Sequence, residues 1–195
     1  MSDITVPGLD DLYDALKIPD NPAGARFREL GTVVSFSRGT KLPLFIKGEA
    51  QLYMLLQGCT YCETPMPDGR TLLECICYQI FDAVNPIGMF TGTYKNESCT
   101  CLQDSVFAVF PMEEIIRLVE GDVELMNVYS GCLKRGLEEQ TRYKYMLSLR
   151  SDERYAWFLN SFGSVAEHIP MKVVAQLLNV DPATLSRIRA KLKGE

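Results

Sequence analysis

Val123–Leu149 is a run of 27 residues without a proline. Leu125, Val128, Cys132, Leu133, Gly136 and Leu137 recur in it at three- and four-residue spacing. Read as one helix, the run is about 40 Å long at 1.5 Å per residue, well beyond the globular average of three to four turns. A chain of 195 residues offers little to wrap around such a rod. The spacing therefore predicts a partner helix, most simply that of a second copy, with Leu125, Val128, Cys132 and Gly136 at the seam. The small Cys132 and Gly136 permit close approach. The rod also divides the chain into three parts: residues 1–111, a connecting and long helix over 112–149, and residues 150–195.

The part before the rod reads as β structure. Short β-rich runs, Thr32–Phe36, Ala50–Gln57, Thr60–Thr64, Thr71–Tyr78, Cys99–Leu102 and Val106–Phe110, are separated by Gly, Pro and Asp-Gly. Many short strands without intervening helices predict an antiparallel sandwich or barrel. Asp68-Gly69 is a two-residue hairpin signal. A short helix is expected around Leu9, Leu12 and Leu16, followed by a Pro19-Asp-Asn-Pro22 loop. The period changes at Pro111, expected in the first position of a helix over Met112–Val119.

The part after the rod reads as short helices. Ser151 is expected to cap the first, which runs to Gly163. Met171 to Arg189 then forms one unit. Val174, Leu178, Val180, Leu185 and Ile188 supply a buried seam, and Ala175 marks a close helix crossing. Asn179 tolerates the left-handed turn, Asp181 caps the second helix and Pro182 fills its first turn. This is the helix-turn-helix pattern. The second helix leaves Thr184, Ser186, Arg187, Arg189 and Lys191 for polar faces, and residues of these types read base edges and hold phosphates.

Charge separates the same regions. The net charge is −5. Residues 1–149 carry 13 Lys and Arg against 20 Asp and Glu, a net of −7, while residues 150–195 carry 7 against 5, a net of +2. An acidic body with a basic end predicts an anionic partner at that end. No stretch of eighteen apolar residues exists, so a membrane-spanning helix is not expected. Met1-Ser-Asp-Ile-Thr has neither the basic nor the apolar region of a secretory signal, and the expected compartment is the cytoplasm.

The segment Ile169–Leu192 resembles the DNA-binding end of the cyclic-AMP-receptor/fumarate-nitrate-regulator (Crp/Fnr) superfamily, in its branches with a shortened, wingless C-terminal domain. The order of parts is similar over nearly the whole chain. Gly31, Phe36–Thr40, Gln57-Gly58, Asp68–Arg70, Gly88 and Leu102–Phe110 resemble the family's strand and turn positions. The resemblance implies an α+β fold: an N-terminal cyclic-nucleotide-binding-like antiparallel β-roll (a double-stranded β-helix), a long dimerisation helix and a C-terminal helix-turn-helix domain. It implies a homodimeric transcriptional regulator, not an enzyme, that binds a palindromic duplex site and takes a small effector in the roll. RNA polymerase is a further implied partner, and a membrane is not.

The departures from that pattern matter. Cyclic-nucleotide-binding members carry a Gly-Glu pair and then an Arg-Ser or Arg-Ala pair. Here Met89 follows Gly88, and Lys95-Asn96 is the nearest match to the arginine position. The effector pocket expected at Gly88, Met89, Lys95 and Asn96 is thus not built for cyclic AMP, because lysine offers a point charge without the guanidinium fork. Pro182-Ala183 also replaces base-reading residues, so an operator cannot be inherited.

Six of the seven cysteines lie in the roll, as Cys59-x-x-Cys62, Cys75-x-Cys77 and Cys99-x-Cys101. Residues two apart on a strand share a face, so each Cys-x-Cys pair suits a metal or a redox switch. Plain packing of reduced thiols is the expectation for a cytoplasmic chain, with no metal and no resident cofactor. A redox-sensing or ligand-binding dimer without DNA binding is the alternative reading. A cupin-type enzyme would want several histidines in the barrel; the single histidine, His168, lies beyond it and is expected at the surface.

Overall fold

The computed structural model describes residues 6–84 and 98–193. Two helices, α1 (Leu9–Leu16) and α2 (Pro22–Leu30), precede eight strands: β1 (Thr32–Phe36), β2 (Phe45–Ile46), β3 (Glu49–Gln57), β4 (Thr60–Pro65), β5 (Thr71–Cys77), β6 (Ala83–Val84), β7 (Ser98–Cys101) and β8 (Ser105–Pro111). Then come α3 (Met112–Gly121), α4 (Val123–Ser148), α5 (Ser151–Phe162), a 3-10 turn (Gly163–His168), α6 (Met171–Leu177) and α7 (Pro182–Lys193). Among the described residues no helix is long and apolar enough to cross a membrane.

The strands form two antiparallel sheets that enclose a roll. The larger has the order β1-β8-β3-β2 with β6 on β3; the smaller has the order β5-β4-β7. Period-two alternation divides the core into layers. On β3 and β8, Tyr53, Leu55, Phe107 and Val109 face the roll interior. Leu52, Met54, Leu56, Ala108 and Phe110 face out, beneath α1, α2, α3 and the start of α4. On the smaller sheet, Cys62, Cys75, Cys77, Cys99 and Cys101 face in, while Tyr61, Leu73 and Ile76 face out, beneath the C-terminal helices. Leu73 and Ile76 share a face although three residues apart because the β4–β5 register shifts between Cys62 and Glu63, placing Glu74 in a bulge. Gly58 carries the chain from one sheet to the other at φ 110, and a Cβ there would collide with the Ser105 side chain.

The α+β architecture expected from the sequence is the one observed, and several local expectations are corrected. Pro19–Pro22 does not open a plain loop. Asn21 accepts from the Gly24 N–H at 2.8 Å and Pro22 takes the first turn of α2, so Asn-Pro here is a helix start. Asp68-Gly69 does not make a two-residue hairpin. Strand β4 ends at Pro65 and β5 begins at Thr71, because Pro67 has no N–H to continue the ladder; the loop closes by Met66 N–H donating to the Arg70 carbonyl at 2.7 Å. Pro111 lies just before α3 and Ser151 just inside α5. At α5 the reciprocal capping contact comes from Glu153, which accepts from the Arg150 N–H at 2.9 Å.

Candidate nucleic-acid interface and sensor interior

The helix-turn-helix is assembled from its buried seam outward. Val174, Ala175, Leu178 and Leu185 are buried, and Val180 and Ile188 pack half-buried against the same cluster. After α6, Leu178 N–H donates to the Val174 carbonyl and Val180 N–H to the Ala175 carbonyl, each at 3.0 Å. Asn179 sits at φ 49, the left-handed conformation that asparagine tolerates better than most side chains. The Asp181 carboxylate then accepts from the Thr184 N–H at 2.8 Å and from the Thr184 hydroxyl at 2.5 Å. These two bonds hold the Asp181 carboxyl below the usual carboxylate range.

That cap also decides which sequence-predicted residues are free for a ligand. Ser186, Arg187 and Lys191 are exposed on one face of α7, with Ala183 and Ala190 between them. Thr184 is half-buried and its hydroxyl is already bonded to Asp181. Arg189 is also half-buried, and its Nε is enclosed without a partner. Arg187 Nε donates to its own helix at Ala183 O, 3.3 Å away, leaving its terminal nitrogens at the surface. His168 is exposed.

Residues that the pattern reading missed set the angle of this unit. Arg154, on α5, donates to the Leu147, Leu149 and Leu178 carbonyls at 2.9 Å each and to Asn179 O at 3.5 Å. One guanidinium therefore ties the end of α4 to the helix-turn-helix turn. The Tyr143 hydroxyl donates to Leu177 O at 3.0 Å, and α4 is joined to α6 at a second point. Against the roll, Tyr78 stacks on Phe162 with centroids 4.4 Å apart and donates to Ser161 O. Gln176 donates to Thr71 Oγ1 at 3.2 Å. The sequence signal for Arg154 was present but ambiguous, since an arginine early in a helix reads as a solvated charge.

On α4, Leu125 is buried in the chain's own core, and Val128 and Cys132 are half-buried against it. Residues 134–142 are all exposed, Leu137 at 69%. A Cβ at Gly136 would meet nothing within 4 Å. The first three turns of the rod, to about residue 133, are thus spent within the chain, and its middle is bare.

The roll interior corrects the expectation of plainly packed thiols. Cys62 and Cys99 are joined by a disulfide across β4 and β7. Cys75 is the β5 neighbour of Cys62 in the ladder, and its sulfur lies 3.9 Å from that of Cys77. Cys59 faces the other way, among the C-terminal helices, where burial pushes its thiol up to about 12. Among the described residues no group of three or more His, Cys, Asp or Glu is arranged to hold a metal ion. The effector positions expected at Gly88, Met89, Lys95 and Asn96 lie outside the described residues.

No known protein-family profile and no curated protein matches the chain. Solved structures do. The chain is similar to a regulator of the Crp/Fnr family from Eubacterium rectale (TM-score 0.70, 11% identity, covering 93% of this chain and 86% of that one). It is also similar to FixK2 from Bradyrhizobium japonicum (0.67, 16%, 84% and 85%). A third is CLP from Xanthomonas campestris, a global regulator responsive to c-di-GMP (0.66, 17%, 88% and 91%). The common property is the fold, a β-roll, a long helix and a C-terminal helical domain over most of each chain.

Proposed function

We propose that the chain is a transcriptional regulator of the Crp/Fnr type, working as a homodimer that binds a palindromic duplex site through α7. The observation that carries this reading is the helix-turn-helix: a buried seam, a left-handed turn at Asn179 and an Asp181 cap leave Ser186, Arg187 and Lys191 exposed together. Arg187 takes a base edge, where a guanidinium reads guanine in two bonds; Lys191 and Ser186 take phosphates. Thr184 and Arg189 position the helix rather than read it. Two copies related by a dyad imply half-sites about one helical turn, roughly 34 Å, apart.

The dimer seam is the bare middle of α4. Gly136 has open space in the protomer, so Gly136→Leu tests association without disturbing the fold. It should weaken the dimer in light scattering, and unchanged association would move the seam elsewhere. The effector is a small molecule other than cyclic AMP, since Met89 supplies no carboxylate to accept from a ribose hydroxyl. Each missing charged hydrogen-bond partner costs about 1.5–3 kcal/mol, and micromolar binding of cyclic AMP in calorimetry would contradict this.

The DNA reading is tested by selection from random duplexes, with and without cell extract to supply an effector. Enrichment of a palindrome in either arm is expected. Enrichment in neither would favour a ligand-binding dimer that does not read DNA.

A further inference from the structure

Three cysteines stand in a row across the smaller sheet. Cys62 on β4 is the ladder partner of Cys99 on β7 and of Cys75 on β5, and all three face the roll interior. The Cα atoms of Cys62 and Cys99 lie 4.1 Å apart, and ladder partners on adjacent antiparallel strands lie in general about 4.5–5.5 Å apart, a separation that a disulfide spans. Cys62 can therefore bridge in either direction. The row also has the incoming thiol, the attacked sulfur and the leaving sulfur in the order that thiol–disulfide exchange needs.

We propose that the Cys75-Cys62-Cys99 row is a thiol–disulfide switch that governs how firmly the C-terminal helices dock on the roll. A small disulfide of the glutathione type oxidises the Cys62 and Cys99 thiols to their disulfide and leaves as two small thiols. In the exchange step the Cys75 thiolate, its proton given to water, attacks the Cys62 sulfur. The Cys62–Cys99 bond breaks, and Cys99 departs as a thiolate that takes up a proton. Excess small thiol returns all three to the reduced form.

Two features single out this row. Cys75 is half-buried whereas Cys62, Cys77, Cys99 and Cys101 are buried, so Cys75 is the point of entry to the interior thiols. The hydrogen bond with Cys75, and after it burial, raises the Cys77 thiol above the ordinary range, and burial raises that of Cys101, which makes both poor nucleophiles. The output lies on the other side of the same strands. Tyr61, next to Cys62, and Leu73 and Ile76 on β5 pack against the C-terminal helices, and Thr71 at the start of β5 receives Gln176. With the Cys62–Cys99 bond in place, β4 is fastened to β7, whose other edge is held by the Leu42 N–H on Cys99 O and the Gly39 N–H on Cys101 O. The docked arrangement is thus the oxidised one, and reduction loosens the platform.

The switch deepens the regulator reading by naming its input, and its test needs no DNA. The full chain is poised in mixtures of reduced and oxidised glutathione, quenched in acid, alkylated and mapped for disulfide-linked peptides; hydrogen exchange is read on the same samples. Wild type should form Cys62–Cys99, Cys99→Ser should form Cys62–Cys75, and Cys75→Ser should keep Cys62–Cys99. Amides of α6 and of Gly163–His168 should exchange about tenfold faster in the reduced form, while those of β3 and β8 stay unchanged. Cys62→Val, which fills the site without a thiol, should exchange like the reduced form at every poise. The proposal is overturned if the interior cysteines stay free in oxidised glutathione or if oxidation falls on Cys132 alone. It is equally overturned if Cys99→Ser yields no Cys62–Cys75 bond, or if docking is the same in both forms.

Discussion

Helices cover both outer faces of the roll, by different means. On the larger sheet the contact between helices and strands is an apolar cluster: Leu12, Leu16 and Phe27 from α1 and α2, and Met112, Ile115 and Val119 from α3, close over Leu52, Met54 and Phe110, and the polar ties there, such as Asn21 to Asp122 and Glu124, run between helices. On the smaller sheet an apolar patch is ringed by single polar tethers: Tyr78 to Ser161, Gln176 to Thr71, and, at the hinge with α4, Arg154 and Tyr143. The first joint is part of the roll's own core and has no meaning apart from it. The second joins a unit that has its own buried seam, so it can open without unfolding either side.

Substitutions at the two joints should separate them. The largest effect is expected at Phe110, fully buried in the first. Phe110→Ala should cost about 3–5 kcal/mol and lower a single cooperative melting transition, while a second transition that leaves the roll intact would make this joint the weak one. Arg154→Ala should cost about 2–3 kcal/mol, because several carbonyls lose one charged donor. Hydrogen exchange should place that loss in α5, α6 and α7 and spare β3 and β8; a uniform loss would erase the distinction.

A smaller effect is expected at Asp82. Its carboxylate accepts from the Tyr78 and Gln79 N–H groups at 2.9 Å, beside the tyrosine that stacks on Phe162. Burial raises its carboxyl above the usual range, against the lowering effect of those two bonds. A raised folded-state value penalises the ionised form. Stability is therefore lowest above that value and recovers as pH falls through it toward the ordinary carboxylate range. Asp82→Asn keeps an acceptor and should remove that pH dependence from denaturant midpoints, whereas Asp82→Ala should cost about 1–3 kcal/mol. The smallest effect is expected from Tyr143→Phe, about 0.5–1.5 kcal/mol for one hydrogen bond, confined to the α4–α6 contact. A larger or global loss would mean that the tether belongs to the core.

The two joints also differ in how legible they were. Helix-turn-helix spacing survives in sequence because each residue answers a local demand: Asn179 the left-handed turn, Asp181 the cap, Ala175 the close crossing. The strands were legible for the same reason, since alternation is local. The Cys62–Cys99 pair was not, because spacing within a strand cannot say which strand lies beside it, and β4 pairs with both β5 and β7. Arg154 was missed because its carbonyl partners come from two separate segments of the chain, the end of α4 and the turn after α6. On α4 the periodicity was read as one seam, but its first turns serve the roll's core and only its middle is bare.

Duplex affinity measured across a salt series tests the central claim most directly, with wild type, Arg187→Ala and Lys191→Ala on a selected palindrome and on random sequence. Arg187→Ala should lose about 1–3 kcal/mol on the palindrome and little of it on random sequence. Lys191→Ala should weaken both alike and flatten the salt slope by about one unit for each lysine lost from a phosphate. If both variants bind the two duplexes as wild type does at every salt concentration, α7 is not the DNA-reading helix and the regulator account fails.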